Sequence, residues 1–101
     1  MKYIKKKLAI DNVRLVDIAK KFDTPTYCYS YTQLKKNINS FKKNFKTFSP
    51  LICFAIKSNT NLNLIKEIQK FGLGADVVSM GELMMALKAG INPKKIVFSG
   101  V

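Results

Sequence analysis

"LICFAIKSNTNLNLIKEIQKFGLGADVVSMGELMMALKAGINPKKIVFS", residues 51–99, beats between two kinds of segment. LICFAI (51–56), ADVVS (75–79) and KIVFS (95–99) are short, continuous apolar runs, whereas NLNLIKEIQKF (61–71) and GELMMALKAG (81–90) have helical character. The order predicts strand, helix, strand, helix, strand. Ile52, Asp76 and Val97 mark corresponding points 24 and 21 residues apart, about one strand–helix unit each, and successive parallel strands require such crossover helices. Gly72 and Gly74, then Gly90 with Asn92 and Pro93, supply the stops between units. Continuous rather than alternating apolar strands imply that both sheet faces are covered, which leaves a (βα)8 barrel or a doubly wound sheet.

Upstream of this block, residues 1–13 read as an extended apolar and basic stretch. RLVDIAKKF (14–22) then places Leu15, Ile18, Ala19 and Phe22 on one helical face, and Asp23, Thr24 and Pro25 end it. TYCYS (26–30) is a short β-favouring run. SYTQ (30–33) has the capping-box pattern, and Leu34, Ile38, Phe41, Phe45 and Phe48 recur at spacings of four and three. These features predict a helix of about four turns with an apolar stripe and lysines on its back.

In either candidate architecture ligands bind at the carboxyl ends of the strands. Lys57, Ser58 and Asn59 stand there after the first run, Ser79 after the second, and Ser99 with Gly100 after the third. A lysine held at the mouth of an apolar strand is expected to be partly desolvated, which frees its amine as a nucleophile toward a carbonyl. The competing reading is a lysine that snorkels to solvent like most others. Spacing gives the place of a site, not its chemistry.

Composition is that of a folded protein, 48% hydrophobic and 24% charged. The formal net charge of +12 invites a polyanion partner. Seventeen lysines accompany a single arginine, Arg14, whereas bidentate phosphate and base contacts favour arginine. Lys, Asn and Ile make up 35 of the 101 residues, a bias that AT-rich coding also produces, so solvated surface lysine is preferred to nucleic-acid binding. Cys28 and Cys53 lack CxxC spacing and the chain has no histidine; no metal site or disulfide is expected, and the reading is of buried free thiols in a reducing cytoplasm. The basic start MKYIKKKLAI is broken at Asp11 and Asn12 before it reaches signal-peptide length, and no segment approaches a membrane span.

One hundred and one residues are few for a closed parallel architecture. Strand character begins again at Ile96 and the sequence ends at Val101, so the chain reads as the opening part of something larger.

FAIKSN (54–59), GADVVSMGE (74–82) and DTPTYCYS (23–30) together resemble the fold type III pyridoxal-phosphate-dependent decarboxylases, and within them the diaminopimelate decarboxylase branch. The aromatic-Ala-x-Lys-x-Asn strand end of that family maps onto Phe54, Ala55, Lys57 and Asn59, and its Gly-x-Asp-Val-Val-Ser-x-Gly-Glu stretch onto Gly74 to Glu82. DTPTYCYS is similar to the segment leading into the family's first barrel helix, and the resemblance runs from about residue 8 to the end.

The resemblance implies an α/β fold, the N-terminal portion of a pyridoxal-phosphate-binding (βα)8 barrel of the alanine racemase type, incomplete in this chain. Residues 1–25 would form an extended segment and helix leading in, and residues 26–101 the first βα units. It implies that Lys57 forms the Schiff base with pyridoxal 5'-phosphate and is the catalytic lysine. Asp76 would lie beside cofactor and lysine; its alternative is a strand-end carboxylate paired with a surface lysine. Glu82 matches the motif, but its place at a helix start also suits the helix dipole, and Met80, Met84 and Met85 read as core filler. The implied reaction is decarboxylation of meso-2,6-diaminopimelate to L-lysine and CO2 by a cytoplasmic enzyme of lysine biosynthesis, with an amino-acid substrate, no nucleic acid and no membrane. The implied assembly is a homodimer whose sites are completed across the interface. Ornithine or arginine decarboxylation on the same fold, and a non-catalytic pyridoxal-phosphate-binding barrel, are the alternatives. Alanine racemases share the Lys-x-Asn but continue it with a Tyr-Gly-His-Gly type stretch, which TNLN (60–63) does not match. The phosphate-binding glycine loop and the acidic partner of the pyridinium nitrogen, which the family carries later, have no counterpart in these residues, so turnover by the 101-residue chain alone is not expected.

Overall fold

Short-range turn chemistry governs the first residues of the computed structural model, which describes residues 1–101. Strands β1 (Lys2–Ile4), β2 (Lys7–Ile10) and β3 (Val13–Arg14) form an antiparallel sheet in that order. Lys5 and Lys6 (φ 48° and 63°) and then Asp11 and Asn12 (φ 47° and 69°) make the two connections. Two-residue hairpin loops require positive φ at both positions, which Asn and Asp tolerate best. The extended stretch expected at residues 1–13 is therefore two hairpins. Helix α1 (Leu15–Phe22) follows and ends at Asp23, with φ 61°. TYCYS is not a strand: it has β propensity but no partner strand.

Helix α2 (Tyr31–Asn44) begins where the SYTQ pattern puts it. Ser30 Oγ accepts from the Gln33 N–H at 3.0 Å, and Asp11 holds the same turn, its carboxylate accepting from the Ser30 hydroxyl at 2.7 Å and from the Thr32 N–H at 3.0 Å. The Thr32 amide, then the Ser30 hydroxyl, hold the Asp11 carboxyl below its ordinary pKa. Gln33 does not close the box but donates to Asn37. Ile38 is the buried residue of the expected stripe; Phe41, Phe45 and Phe48 are exposed, and the last two lie beyond the helix. Met1–Asn44 is one compact unit and Phe45–Val101 a second.

The second unit has the predicted beat with tighter bounds: β4 (Cys53–Ala55), α3 (Leu62–Lys70), β5 (Gly74–Val77), α4 (Met80–Lys88) and β6 (Ile96–Phe98). Its strands are parallel and adjacent in sequence order. Ala55 stands opposite Asp76 and Asp76 opposite Val97, so both pairings step by 21 residues and Ala55, not Ile52, is the counterpart of Asp76. Asn61 caps α3 and Ser79 caps α4, each accepting backbone N–H bonds of the first turn. At the far end of α4, Gly90 (φ 90°) lets its own N–H reach Leu87 O and the Ile91 N–H reach Ala86 O, a Schellman closure that buries Ile91.

Alternation along the strands decides between the two architectures. Phe54 and Ile56, Ala75 and Val77, and Ile96 face α3 and α4, packing with Leu62, Ile65, Leu83, Met85, Ala86, Ala89 and Ile91. Removing Ile56, Ile65, Ile68 and Val77 fully from water contributes about 1.5–3 kcal/mol each. The other face carries Cys53, Ala55, Asp76 and Val97, opposite the face on which α3 and α4 pack. Sequential strands with every helix on one side are the start of a barrel; a doubly wound sheet reverses direction and places helices on both sides. The expectation of two covered faces thus holds for one face only. Gly74 is not a helix stop but a strand residue: a Cβ there would collide with the Lys95 carbonyl and lie 2.9 Å from Cys53 Sγ. Met80 and Met84 are exposed, leaving Met85 against the core.

Candidate functional site

The face opposite α3 and α4 ends at the carboxyl edge of the sheet, and the candidate residues gather there. Beyond Ala55 the strand stops in a single 3-10 turn, Ile56–Ser58, because Ile56 dives into the core and the Asn59 N–H closes on Ile56 O at 3.0 Å. Lys57 is the middle residue of that turn, between buried Ile56 and Ser58, whose hydroxyl donates to Ala55 O at 2.7 Å. The side chain of Lys57 is exposed. The partial desolvation expected for it is not found in these residues, whose surface leaves the side chain open to solvent.

Asp76 is half-buried on β5, one strand across from Ala55. Its Oδ1 accepts from the Ser99 hydroxyl at 2.6 Å, so its partner is a strand-end serine on β6 and not a surface lysine. Cys53 lies on the same face; burial first, and the Asp76 carboxylate second, push its thiol above the ordinary value. Cys53 is partly buried and Cys28 exposed, both as free thiols, so the expectation of two buried cysteines fails for Cys28.

The other strand-end residues are occupied by local structure. Asn59 accepts from the Asn61 N–H at 2.9 Å, and Ser79 Oγ accepts from the Glu82 N–H at 3.2 Å. Glu82 Oε2 in turn accepts from the Val78 N–H at 2.9 Å, one residue before the cap, so Ser79 and Glu82 tie the start of α4 to the residue that follows β5. The S-x-x-E spacing of SMGE (79–82) was the signal for this pair. Ser99 was visible only as a strand-end residue; its bond to Asp76 depends on the register of β5 and β6.

Lys57 and Asp76 suit the aldehyde-bearing end of pyridoxal phosphate: an exposed primary amine stands at one strand end and a carboxylate on the adjacent strand. At the starts of α3 and α4 the amides of Asn63, Leu64 and Glu82 are already taken by Asn61 and Ser79. No helix in the chain is long and apolar enough to cross a membrane.

Residues 31–101 match the family described as pyridoxal-dependent decarboxylase, pyridoxal binding domain. The whole chain is 43% identical to a diaminopimelate decarboxylase of Aquifex aeolicus, of which it covers 24%. The crystal structure of a diaminopimelate decarboxylase from M. jannaschii in complex with L-lysine superposes with a TM-score of 0.93 at 36% identity, over 98% of this chain and 24% of that one. An ornithine decarboxylase from Entamoeba histolytica is more distant, with a TM-score of 0.66 and 25% identity over 83% of this chain and 27% of that one. The chain spans about a quarter of the length of these relatives.

Proposed function

Since this chain belongs to the pyridoxal-binding domain family of the pyridoxal-dependent decarboxylases, we propose that it is the part of a diaminopimelate decarboxylase that carries the cofactor's attachment lysine, Lys57. The observation that carries this reading is the neighbouring of an exposed amine on the turn after β4 and a carboxylate on β5, at the carboxyl edge of the sheet. Pyridoxal 5'-phosphate, when bound, supplies the electron sink for the charge left as CO2 departs.

The chain's own residues do the holding. Lys57 would hold the cofactor at its aldehyde end through the side-chain amine. The short turn around Lys57, closed by the Asn59 N–H and the Ser58 hydroxyl, fixes where that amine starts from. Asp76 sets a negative charge beside the attachment point, where it favours cationic forms of nearby nitrogen. Ser79 and Glu82 hold the start of α4.

The proposed substrate is meso-2,6-diaminopimelate, converted to L-lysine and CO2 in the cytoplasm by a homodimer. The 43% identity to the Aquifex aeolicus enzyme and the L-lysine complex of the M. jannaschii relative support this choice over ornithine. The test is steady-state kinetics of the full gene product on meso-diaminopimelate and on ornithine, native and Lys57→Ala. Selective release of CO2 from diaminopimelate, falling by about 10²–10⁴-fold or more in the variant, is expected. Preference for ornithine would overturn the substrate, and an active Lys57→Ala the role of the lysine.

A further inference from the structure

Ser99 has no role so far, yet its geometry is specific. Its backbone N–H extends the β5–β6 ladder to Val77 O at 3.0 Å, which fixes the residue at the end of β6. Its side chain crosses to the neighbouring strand and donates to Asp76 Oδ1 at 2.6 Å, on the face opposite α3 and α4. The backbone just beyond is equally confined, because a Cβ at Gly100 would lie 2.6 Å from the Val78 carbonyl oxygen. A hydroxyl anchored by the ladder thus grips one oxygen of a carboxylate that no cation neutralises and leaves the other oxygen open.

We propose that Ser99 is a positioning residue, which holds the carboxylate of Asp76 in one orientation toward the cofactor attached at Lys57. The inference rests on the proposed cofactor role of Lys57 and Asp76 and adds a residue to it. Without the hydroxyl the Asp76 side chain is free to turn among its staggered rotamers, and part of its population then faces away from the cofactor. The hydroxyl donates and so prefers a carboxylate acceptor, and the bond is charge-assisted and short. Threonine retains an equivalent hydroxyl; alanine does not.

The experiment uses the apo form of the full gene product, with pyridoxal phosphate as the probe, and reads the dissociation constant and the absorbance band of the bound cofactor. The variants are Ser99→Ala, Ser99→Thr, Asp76→Ala and the double variant Ser99→Ala/Asp76→Ala, with the thermal midpoint of each apo form as a control. Ser99→Ala should weaken binding about 3- to 10-fold and shift the band, with the apo midpoint little changed. Ser99→Thr should return both readouts to native values, and Ser99→Ala should have no further effect once Asp76 is alanine. Native binding by Ser99→Ala, equal losses in alanine and threonine variants, or full additivity in the double variant would each overturn the positioning role while leaving Lys57 untouched. Failure of the native protein to bind the cofactor, or unaltered binding by Asp76→Ala, would instead sink the underlying reading and this inference with it.

Discussion

Ala55 and Asp76 are register partners on adjacent parallel strands, so the strand that ends at Lys57 and the strand that carries the carboxylate are neighbours. Everything proposed for the site depends on that pairing. The two residues belong to separate βα units 21 residues apart in sequence, and only the parallel ladder brings them together.

Asp11 should make the first unit acid-sensitive. The Thr32 amide and Ser30 hydroxyl stabilise its ionised form, so its folded pKa lies below the ordinary 3.8. The stabilisation is present above the unfolded value and is lost as pH falls through and below that value. Unfolding followed from pH 7 down to pH 2 should show Asp11→Asn, which keeps a side chain that tolerates φ 47°, less stable than native at neutral pH, with the two curves converging in acid. A constant gap would disprove the linkage.

Two glycines should respond oppositely to alanine. At Gly74 a methyl meets the Lys95 carbonyl and Cys53 Sγ, and overpacking of this kind costs about 1–3 kcal/mol. At Gly81, within α4, the nearest atom is Ser79 Oγ at 3.9 Å, and alanine in a helix is worth about 0.5–1 kcal/mol over glycine. Denaturant titration should rank Gly81→Ala at or above native and Gly74→Ala below it. The reverse order would contradict the packing described.

The parallel βαβαβ order was legible because it is written in local signals: continuous apolar runs, helical spacing and glycine stops. The barrel start needed the sequential strand order and the one-sided placement of α3 and α4, which no local pattern encodes. The hairpins of residues 1–14 were missed although Asp11-Asn12 is a recognised turn pair, because Lys5-Lys6 gives no such signal and the strands are only two to four residues long. Propensity misled at Tyr27 and Tyr29, which stack on each other without a strand partner. Lys57 and Asp76 are proposed from motif and strand-end position, whereas the grip of Ser99 on Asp76 depends on the register of β5 and β6.

The positive charge should be incidental to the chemistry. Lys35, Lys36, Lys42, Lys43 and Lys46 lie exposed on and just after α2, a solvated face rather than a readout surface. Retention on heparin or DNA at low salt should disappear near physiological ionic strength and show no sequence preference. Sequence-selective binding at that ionic strength would reassign the lysines to recognition.

A polypeptide of residues 1–101 alone should unfold with weak cooperativity and bind a hydrophobic dye. Val97 and Phe98 on the edge strand β6 are 48% and 60% exposed, and the open sheet leaves unpaired backbone along that edge. Added pyridoxal phosphate should change this little, since one bond to Lys57 is a weak anchor for which other exposed lysines compete. A sharp, cofactor-dependent melting transition of a monodisperse species would show instead that these residues form a complete binding domain.

Borohydride reduction of the full gene product loaded with pyridoxal phosphate, with peptide mapping of the product, tests the central claim most directly. Among the chain's seventeen lysines, the reduced pyridoxyl group should be found stoichiometrically on Lys57 and should be absent from that peptide in Lys57→Arg. Stoichiometric label on another lysine, with Lys57 unmodified, would contradict it.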